Sequence, residues 1–362
     1  MSKLPKIRVT EPSGLRRFLY PLSATIQLPE HTDFRTIALQ KSDGSPVPVQ
    51  IEYLPRWDTV ASCPTETYNV CFAVSLAPHE TVELNFVEGA REIVSDPLHV
   101  TYVDGDLINT QQRVRIEVGM EDMLRSVIYD GIEHLRSPMR VERNGECLST
   151  TQLRATADFV ATIAASLCVS GSYSDDVKAE TKIEITACKS WATVSHSTTD
   201  LPAGETVTFT LPFAATGEKL VADFGTGNGT YAHIPAEADN AITWRAEQSE
   251  AGWSWQLHVN DRLDYSNTLL PYELAARNWF HVIDAEKSIA VAVLSSLDGL
   301  ASLETRITGN GDIVTTFTTD GSERSIHQFK VCYHFLNALP PIAAATNPHS
   351  ILEPPVVEVI AG

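Results

Sequence analysis

The sequence lacks the residue patterns by which several common kinds of site are recognised. Its six cysteines include no C-x-x-C pair, so their spacing predicts neither a zinc site nor a disulfide framework. It contains no H-E-x-x-H pair and no G-x-S-x-G elbow, the signatures of zinc proteases and of serine hydrolases. We therefore expect a protein that works without a metal and without a cofactor.

Long apolar runs are also missing. No stretch approaches the roughly 18 consecutive apolar residues that a membrane helix needs, and no apolar run of signal-peptide length opens the chain. The pattern favours a cytoplasmic protein with no membrane contact. Basic residues are scarce, with 27 Lys and Arg against 46 Asp and Glu and a net charge of −19. An acidic surface repels phosphate backbones, so nucleic acid is not an expected partner.

Helical periodicity is nearly absent, and what is present instead is a long series of short alternating segments separated by turn residues. This pattern predicts an all-β protein. We expect residues 1–90 to form a small β-barrel or sandwich and residues 91–340 to form a large antiparallel sandwich of two sheets packed face to face. Residues 341–362, rich in proline yet apolar, should pack on the body in extended form, with one edge strand at 356–360. This segment also offers a surface for a homo-oligomer.

The best candidate site lies in residues 274–296, where Arg277, Trp279 and His281 alternate before the apolar run 289–294. Alternate residues of a strand share one face, and the apolar run predicts a strand that is buried on both faces. A cation, an aromatic ring and a group that titrates near neutral pH suit a polyhydroxylated or anionic ligand. The alternative is the ordinary wet face of an antiparallel sheet.

A second candidate is the segment S-I-H-Q-F-K-V-C-Y-H-F at 325–335. On a strand, Tyr333 points to one face and His334 to the other. A histidine and a tyrosine can act together in general acid/base catalysis on sugars, because one group accepts a proton while the other donates one. A purely structural His or Tyr is the alternative.

Two further segments hold candidate binding residues. Arg136 follows Glu133 and His134, and its guanidinium could fork onto a carboxylate or a vicinal diol. The glycine-rich segment 223–231 does not have the spacing of a dinucleotide or phosphate loop, so we expect either a ligand-contacting loop that displays Tyr231 and His233 or simply a tight hairpin.

Several segments resemble a known family. They are P-L-S-A-T-I-Q-L-P from residue 21, D-G-S-P-V-P-V-Q at 43–50, R-W-D at 56–58 and A-P-H-E-T-V-E-L at 77–84. These resemble the N-terminal β-barrel of the exo-rhamnogalacturonan lyase-like family. The region that opens with D-G-D-L-I-N-T at 104–110 looks like the central sandwich of that family, which is similar to the galactose-mutarotase-like supersandwich. The sequence departs from the family in having no segment for its large helical toroid.

The resemblance implies a carbohydrate ligand and cofactor-independent acid/base chemistry, with lyase-type β-elimination favoured. Mutarotase-like or epimerase-like chemistry is one alternative, and a non-catalytic glycan-binding or assembly module is another. The predicted roles are His281 as general acid or base, Tyr333 or His334 as the complementary group, Arg277 and Arg136 as clamps, Trp279 as a stacking platform, and Tyr231 and His233 as further binding residues.

Overall fold

The structure, a computed structural model, describes most of the chain. The described residues are 4–29, 32–57, 64–89, 99–103, 106–111, 114–119, 123–156, 163–187, 189–199, 201–215, 219–223, 231–235, 241–249, 252–266, 279–297, 299–322, 324, 326–337, 351 and 353–361. They form antiparallel sheets almost throughout, as the alternating sequence pattern predicts. Among them, no helix is long and apolar enough to cross a membrane.

The strands are numbered in chain order. The first seven are β1 (Lys6–Thr10), β2 (Arg17–Gln27), β3 (Ile37–Lys41), β4 (Pro46–Val47), β5 (Val49–Trp57), β6 (Pro64–Leu76) and β7 (Thr81–Glu88), with one turn of 3-10 helix at Phe34–Thr36. The next twelve are β8 (His99–Val103), β9 (Asp106–Gln111), β10 (Val114–Gly119), β11 (Met123–Tyr129), β12 (Ile132–Glu133), β13 (Arg140–Arg143), β14 (Glu146–Cys147), β15 (Ser149–Thr156), β16 (Ala164–Ser172), β17 (Lys178–Thr186), β18 (Trp191–Thr198) and β19 (Thr206–Pro212). The last eleven are β20 (Lys219–Asp223), β21 (Tyr231–Pro235), β22 (Ala241–Ser249), β23 (Gly252–Val259), β24 (Arg262–Ser266), β25 (Trp279–Asp284), β26 (Ile289–Ser295), β27 (Leu300–Thr308), β28 (Asp312–Thr319), β29 (His327–Asn337) and β30 (Val356–Ile360).

The N-terminal strands form a small sandwich with a core of its own. A five-stranded sheet in the order β30–β1–β7–β3–β4 packs against a three-stranded sheet in the order β2–β6–β5. Ile7, Val49, Val70 and Phe72 are fully buried between them. The predicted small N-terminal sandwich is therefore present, while the domain boundary near residue 90 remains a prediction.

The remaining strands build the large sandwich. An eight-stranded sheet (β14–β13–β19–β28–β27–β22–β23–β24) and a nine-stranded sheet (β15–β16–β17–β18–β29–β26–β25–β20–β21) share one apolar core. Phe317 joins the sheets, since its ring centroid lies 5.3 Å from that of Phe209 and 5.6 Å from that of Phe329. The prediction of two large facing sheets is confirmed. A further five-stranded sheet, β12–β11–β10–β9–β8, was not predicted, and its Leu107 and Ile116 belong to the same core.

Local sequence signals account for several elements. The apolar run 289–294 lies in β26, which is buried on both faces as predicted. The Asn144–Gly145 pair connects β13 to β14 with φ angles of 47° and 82°, the left-handed values that a two-residue hairpin turn requires. Glycine adopts such an angle without strain, which explains the Asn-Gly signal at this turn.

The C-terminal segment closes the N-terminal sheet. β30 covers the predicted edge strand 356–360 and pairs antiparallel with β1, Lys6 opposite Ile360 and Thr10 opposite Val356. The packing of the whole segment 341–362 on the body stays a prediction, since the structure describes only part of that segment. Its role in a homo-oligomer remains a prediction, for which the exposed side chains of Val356 and Val359 offer apolar surface.

Candidate functional site

The candidate site lies between the small sandwich and the outer face of the nine-stranded sheet, the face turned away from the large core. Alternation along β29 creates this face. Val331 and Tyr333 point into the core, whereas Lys330 and His334 point outward. The outer face is open to a ligand only where the small sandwich does not press against it.

A cavity of about 960 Å³, here called the cleft, occupies this junction. Its floor comes from strands of the nine-stranded sheet, its opposite wall from β2 and β6, and a third side from the C-terminal segment. The lining includes Tyr20, Ser23, Cys71, Glu184, Thr186, Trp191, Thr193, Ser295, Ser296, Lys330, Cys332, Ile351, Pro354 and Val357. Aromatic rings, hydroxyls and one charge of each sign thus surround a volume typical of ligand pockets.

Aromatic rings form one side of the cleft. The Tyr20 and Trp191 rings meet edge to face with centroids 5.7 Å apart, and Trp191 meets His334 in the same manner at 5.6 Å. The Lys189 ammonium lies 5.9 Å from both the Tyr20 and the Trp191 centroid, and it donates a 2.7 Å hydrogen bond to the carbonyl of Phe18. Burial raises the pKa of Tyr20 to about 12, so its hydroxyl stays neutral. These contacts hold the Trp191 ring in one orientation.

A smaller cavity of about 340 Å³, here called the neck, continues from the cleft beneath β5 and β6. The two cavities share Cys71, Ala164 and Glu184 as lining residues. Gln50 fixes the roof, because its side-chain oxygen accepts hydrogen bonds from the backbone amides of Ile163 (2.8 Å) and Ala164 (3.2 Å). The small sandwich is therefore attached to β16 through a buried amide.

The thiols in this region are poor nucleophiles. Burial raises the pKa of Cys332 to about 11, and burial together with the nearby Glu52 does the same for Cys71. Both stay protonated at neutral pH, and the thiolate is the reactive form. Within the described ranges, no group of three or more His, Cys, Asp or Glu side chains is arranged to hold a metal ion.

His281 and His334 lie in one cross-strand row beside the cleft. His281 pairs with Ala292, Ala292 pairs with His334, and His334 pairs with Trp191. The small side chain of Ala292 leaves room above it for both imidazoles. His281 is fully buried, and the pKa of His334 is lowered to about 3 by burial and by the neighbouring His281 and Lys189. His334 is therefore neutral at physiological pH.

The other described candidates lie elsewhere. Tyr333 is fully buried on the core face, opposite His334, and burial raises its pKa. Arg136 forms an ion pair with Asp312 and donates a hydrogen bond to the carbonyl of Asn310, and it does not line the cleft. The structure thus brings His281 and His334 together and separates Tyr333 and Arg136 from them.

Of the remaining predicted residues, one is not described and three are described only at the backbone. Arg277 lies outside the described residues. Trp279 pairs with Leu294 at the start of β25, but its side chain is outside the described part of the structure, as are those of Tyr231 and His233. β20 and β21, which flank the glycine-rich segment, pair antiparallel along their length, while residues 224–230 between them lie outside the described residues.

The sequence interpretation missed Tyr20, Trp191, Glu184 and Lys330, which line the cleft. A local signal existed for Trp191, since Trp191, Thr193 and Ser195 alternate with Ala192 and Val194 along β18. No local signal indicates that Tyr20, 171 residues earlier, contacts Trp191.

Comparison with known proteins identifies the fold. No protein-family model matches the chain, and no curated protein sequence matches it. A glycosyl hydrolase family 38 protein from Enterococcus faecalis matches 99% of this chain with 47% of its own, at 10% identity and a TM-score of 0.58. An α-mannosidase from Enterococcus faecalis V583 matches 99% of this chain with 46% of its own, at 9% identity and a TM-score of 0.53.

A galactose mutarotase related enzyme from Lactobacillus acidophilus is more distant, with a TM-score of 0.37, 9% identity, and coverage of 65% of this chain and 97% of its own. The chain therefore shares its fold with the two hydrolases and spans about half of their length. The resemblance to the rhamnogalacturonan lyase-like family is not confirmed.

Proposed function

We propose that this chain binds a saccharide in the cleft. The observation that carries the proposal is the pairing of the fixed Trp191 ring with hydroxyl and charged side chains around a cavity of about 960 Å³. Sugars have apolar C–H faces that stack on aromatic rings and hydroxyls that need hydrogen-bond partners. Thr193, Glu184 and Lys330 supply such partners in the same cavity.

Recognition without hydrolysis is the role best supported for the cleft. Glycoside hydrolysis generally needs two carboxyl groups flanking the scissile bond. Among the described residues that line the cleft, Glu184 is the only carboxylate. The two similar hydrolases are about twice as long as the chain, so we do not transfer their activity to it. Their names make mannose and α-linked manno-oligosaccharides the first ligands to test.

The test is calorimetric titration of the protein and of Trp191→Ala with these saccharides. We expect the variant to lose at least about tenfold in affinity, equivalent to ~1.4 kcal/mol. Trp253→Ala, in β23 of the other sheet, is the matched control and should bind like the parent protein. The proposal fails if the parent protein binds no saccharide in the series, or if a folded Trp191→Ala binds as tightly as the parent.

A second candidate function is acid/base chemistry at His281 and His334, favoured by their placement in one row behind Trp191. Lyase-type β-elimination needs a base beside the sugar, and mutarotase-like chemistry needs a proton donor and an acceptor. A neutral His334 can accept a proton, although its lowered pKa makes it a weak base. Because His281 is fully buried, substrate would reach it only after the covering residues move.

Two assays on one protein sample test this candidate. Absorbance of an unsaturated product from oligogalacturonides reports elimination, and proton NMR of free sugars reports anomer exchange. We expect either signal to fall at least about a hundredfold in His281→Asn, in line with the usual contribution of a general acid or base. A parent protein with neither activity, or a variant with unchanged turnover, contradicts a catalytic role and leaves the binding proposal intact.

A further inference from the structure

The outer face of the nine-stranded sheet carries a third cavity, at the end of β16 and β17 away from the cleft. This distal cavity has a volume of about 960 Å³, and its lining includes Ser172, Lys178, Glu180, Ser197 and Gln328. Hydroxyl, amide and charged groups lie there beside apolar surface that includes the exposed side chain of Ile326. The proposed saccharide site in the cleft does not use this cavity.

β16, β17 and β18 form the floor from the cleft to the distal cavity. Ala164, at the start of β16, lines the cleft, and Ser172, at its end, lines the distal cavity. Eight residues of extended chain separate them, a distance of about 27 Å at ~3.4 Å per residue. The cross-strand rows in between are Ser166–Glu184–Thr193, Cys168–Lys182–Ser195 and Ser170–Glu180–Ser197.

The neck connects the two ends. It shares Cys71, Ala164 and Glu184 with the cleft, and it shares Glu180 with the distal cavity. The small sandwich lies over the cleft through β2 and β6, and over the neck, where Gln50 and Glu52 of β5 face the floor. The three cavities therefore form one path along the strands, covered by the small sandwich at the cleft and the neck and lined at the distal cavity by strands of the large sandwich.

The charges of the side chains along the path sum to zero. Three carboxylates, Glu52, Glu180 and Glu184, are matched by three ammonium groups, Lys178, Lys182 and Lys330. Lys182 and Glu184 form an ion pair at 2.9 Å. A polyanionic chain would need an excess of cations along the path, and the net charge of −19 would oppose its approach.

We propose that the site takes an extended, uncharged oligosaccharide that lies along the strands of the nine-stranded sheet, with the cleft, the neck and the distal cavity as successive subsites. The proposal rests on the proposed saccharide binding in the cleft. It adds that recognition depends on chain length and excludes polyuronates, and it therefore opposes the lyase form of the second candidate function.

The first test is a titration series of α-linked manno-oligosaccharides from one to eight units, with oligogalacturonides of equal length as the charged counterpart. We expect affinity to rise at least about tenfold between the monosaccharide and the longest chain, and we expect weaker binding of each oligogalacturonide. Equal affinity for all lengths, or tighter binding of the oligogalacturonides, overturns the inference. If the parent protein binds none of the saccharides, the proposed function fails as well.

The second test fills the distal cavity. Ser197→Trp places a ring on the outer face of β18, and Gln328→Trp does so at an exposed position of β29. We expect both to abolish the gain in affinity with chain length while leaving monosaccharide affinity unchanged. Ser254→Trp, on an exposed position of β23, is the matched control. If folded Ser197→Trp and Gln328→Trp keep the full gain in affinity with chain length, the distal cavity is not a subsite and the inference is wrong. In that case, a loss of monosaccharide binding in Trp191→Ala would still support the cleft as a binding site.

Discussion

Tyr333 carries a hydroxyl that makes no hydrogen bond to any described residue, although the side chain is fully buried. An unpaired buried hydroxyl costs about 1–3 kcal/mol. We therefore expect Tyr333→Phe to raise the free energy of unfolding by about 1 kcal/mol, measured by urea denaturation. Phe335→Leu, at a core position of the same strand, should lower it. A Tyr333→Phe protein that is less stable than the parent would show that the hydroxyl has a partner.

His196 makes stability depend on pH. Its ring nitrogens lie 3.1 Å from the Tyr173 hydroxyl and 2.8 Å from that of Thr181. Burial, and then the positive charge of Arg143, lower the pKa of His196 to about 4. Near pH 7 the ring is neutral in both the folded and the unfolded chain, and below about pH 6.5 the unfolded chain binds the proton first.

The free energy of unfolding should therefore fall as the pH drops from about 6.5 to about 4, and the His196 contribution is on the order of 3 kcal/mol. Burial also lowers the pKa of His134 and of His334, which add to the slope. His196→Gln keeps a donor and an acceptor but does not titrate. Urea denaturation across this pH range should give a smaller slope for His196→Gln, and an equal slope would contradict the assignment.

At the scale of elements, the buried guanidinium of Arg17 links the C-terminal segment to the small sandwich. The guanidinium of Arg17, at the start of β2, lies 2.9 Å from the carboxylate of Glu11 and donates a 2.6 Å hydrogen bond to the carbonyl of Glu353. Burial alone would raise the pKa of Glu11, but hydrogen bonds from Ser13, from Arg17 and from the His79 amide lower it to about 2.

Arg17→Met should therefore lower the free energy of unfolding by about 3 kcal/mol, because it leaves the Glu11 carboxylate buried without its counter-ion. It should also make the C-terminal segment more accessible to protease, since the hydrogen bond from Arg17 to the Glu353 carbonyl is lost. Arg8→Met is the matched control, because the Arg8–Glu83 pair is largely exposed and such pairs contribute little. Equal destabilisation by the two variants would mean that burial does not strengthen the Arg17 contact.

The elements that were predicted well are those with a strong apolar pattern. β26 and β30 follow from uninterrupted or alternating aliphatic residues, and the β13–β14 turn follows from Asn-Gly. β18 was not predicted, because its core-facing positions include Ala192 and the polar His196, which weaken the alternation. That strand carries Trp191, so the missed element is also the one that holds the main aromatic side chain of the site.

At the scale of the whole molecule, the cleft could not be predicted from local patterns. Its lining comes from residues as distant in sequence as Tyr20, Trp191 and Pro354. The alternation along β29 correctly predicted that His334 and Tyr333 point to opposite faces of the sheet. The order in which the strands pair decides which residues share a cross-strand row. The alternation of a single strand does not determine that order.

The pairing of β1 with β30 also has a mechanical consequence. Lys6 and Ile360 are neighbours at one end of a ladder of five residue pairs, so opposed forces on the two strand ends would separate the ladder one pair at a time. Ile351, Pro354 and Val357 line the cleft and would leave with β30. In optical-tweezer pulling we expect a short low-force extension before either core unfolds, and a single high-force transition would contradict it. Tension along the chain would then open the cleft, and release the saccharide proposed to bind there, while the large sandwich and the other strands of the small sandwich remain folded.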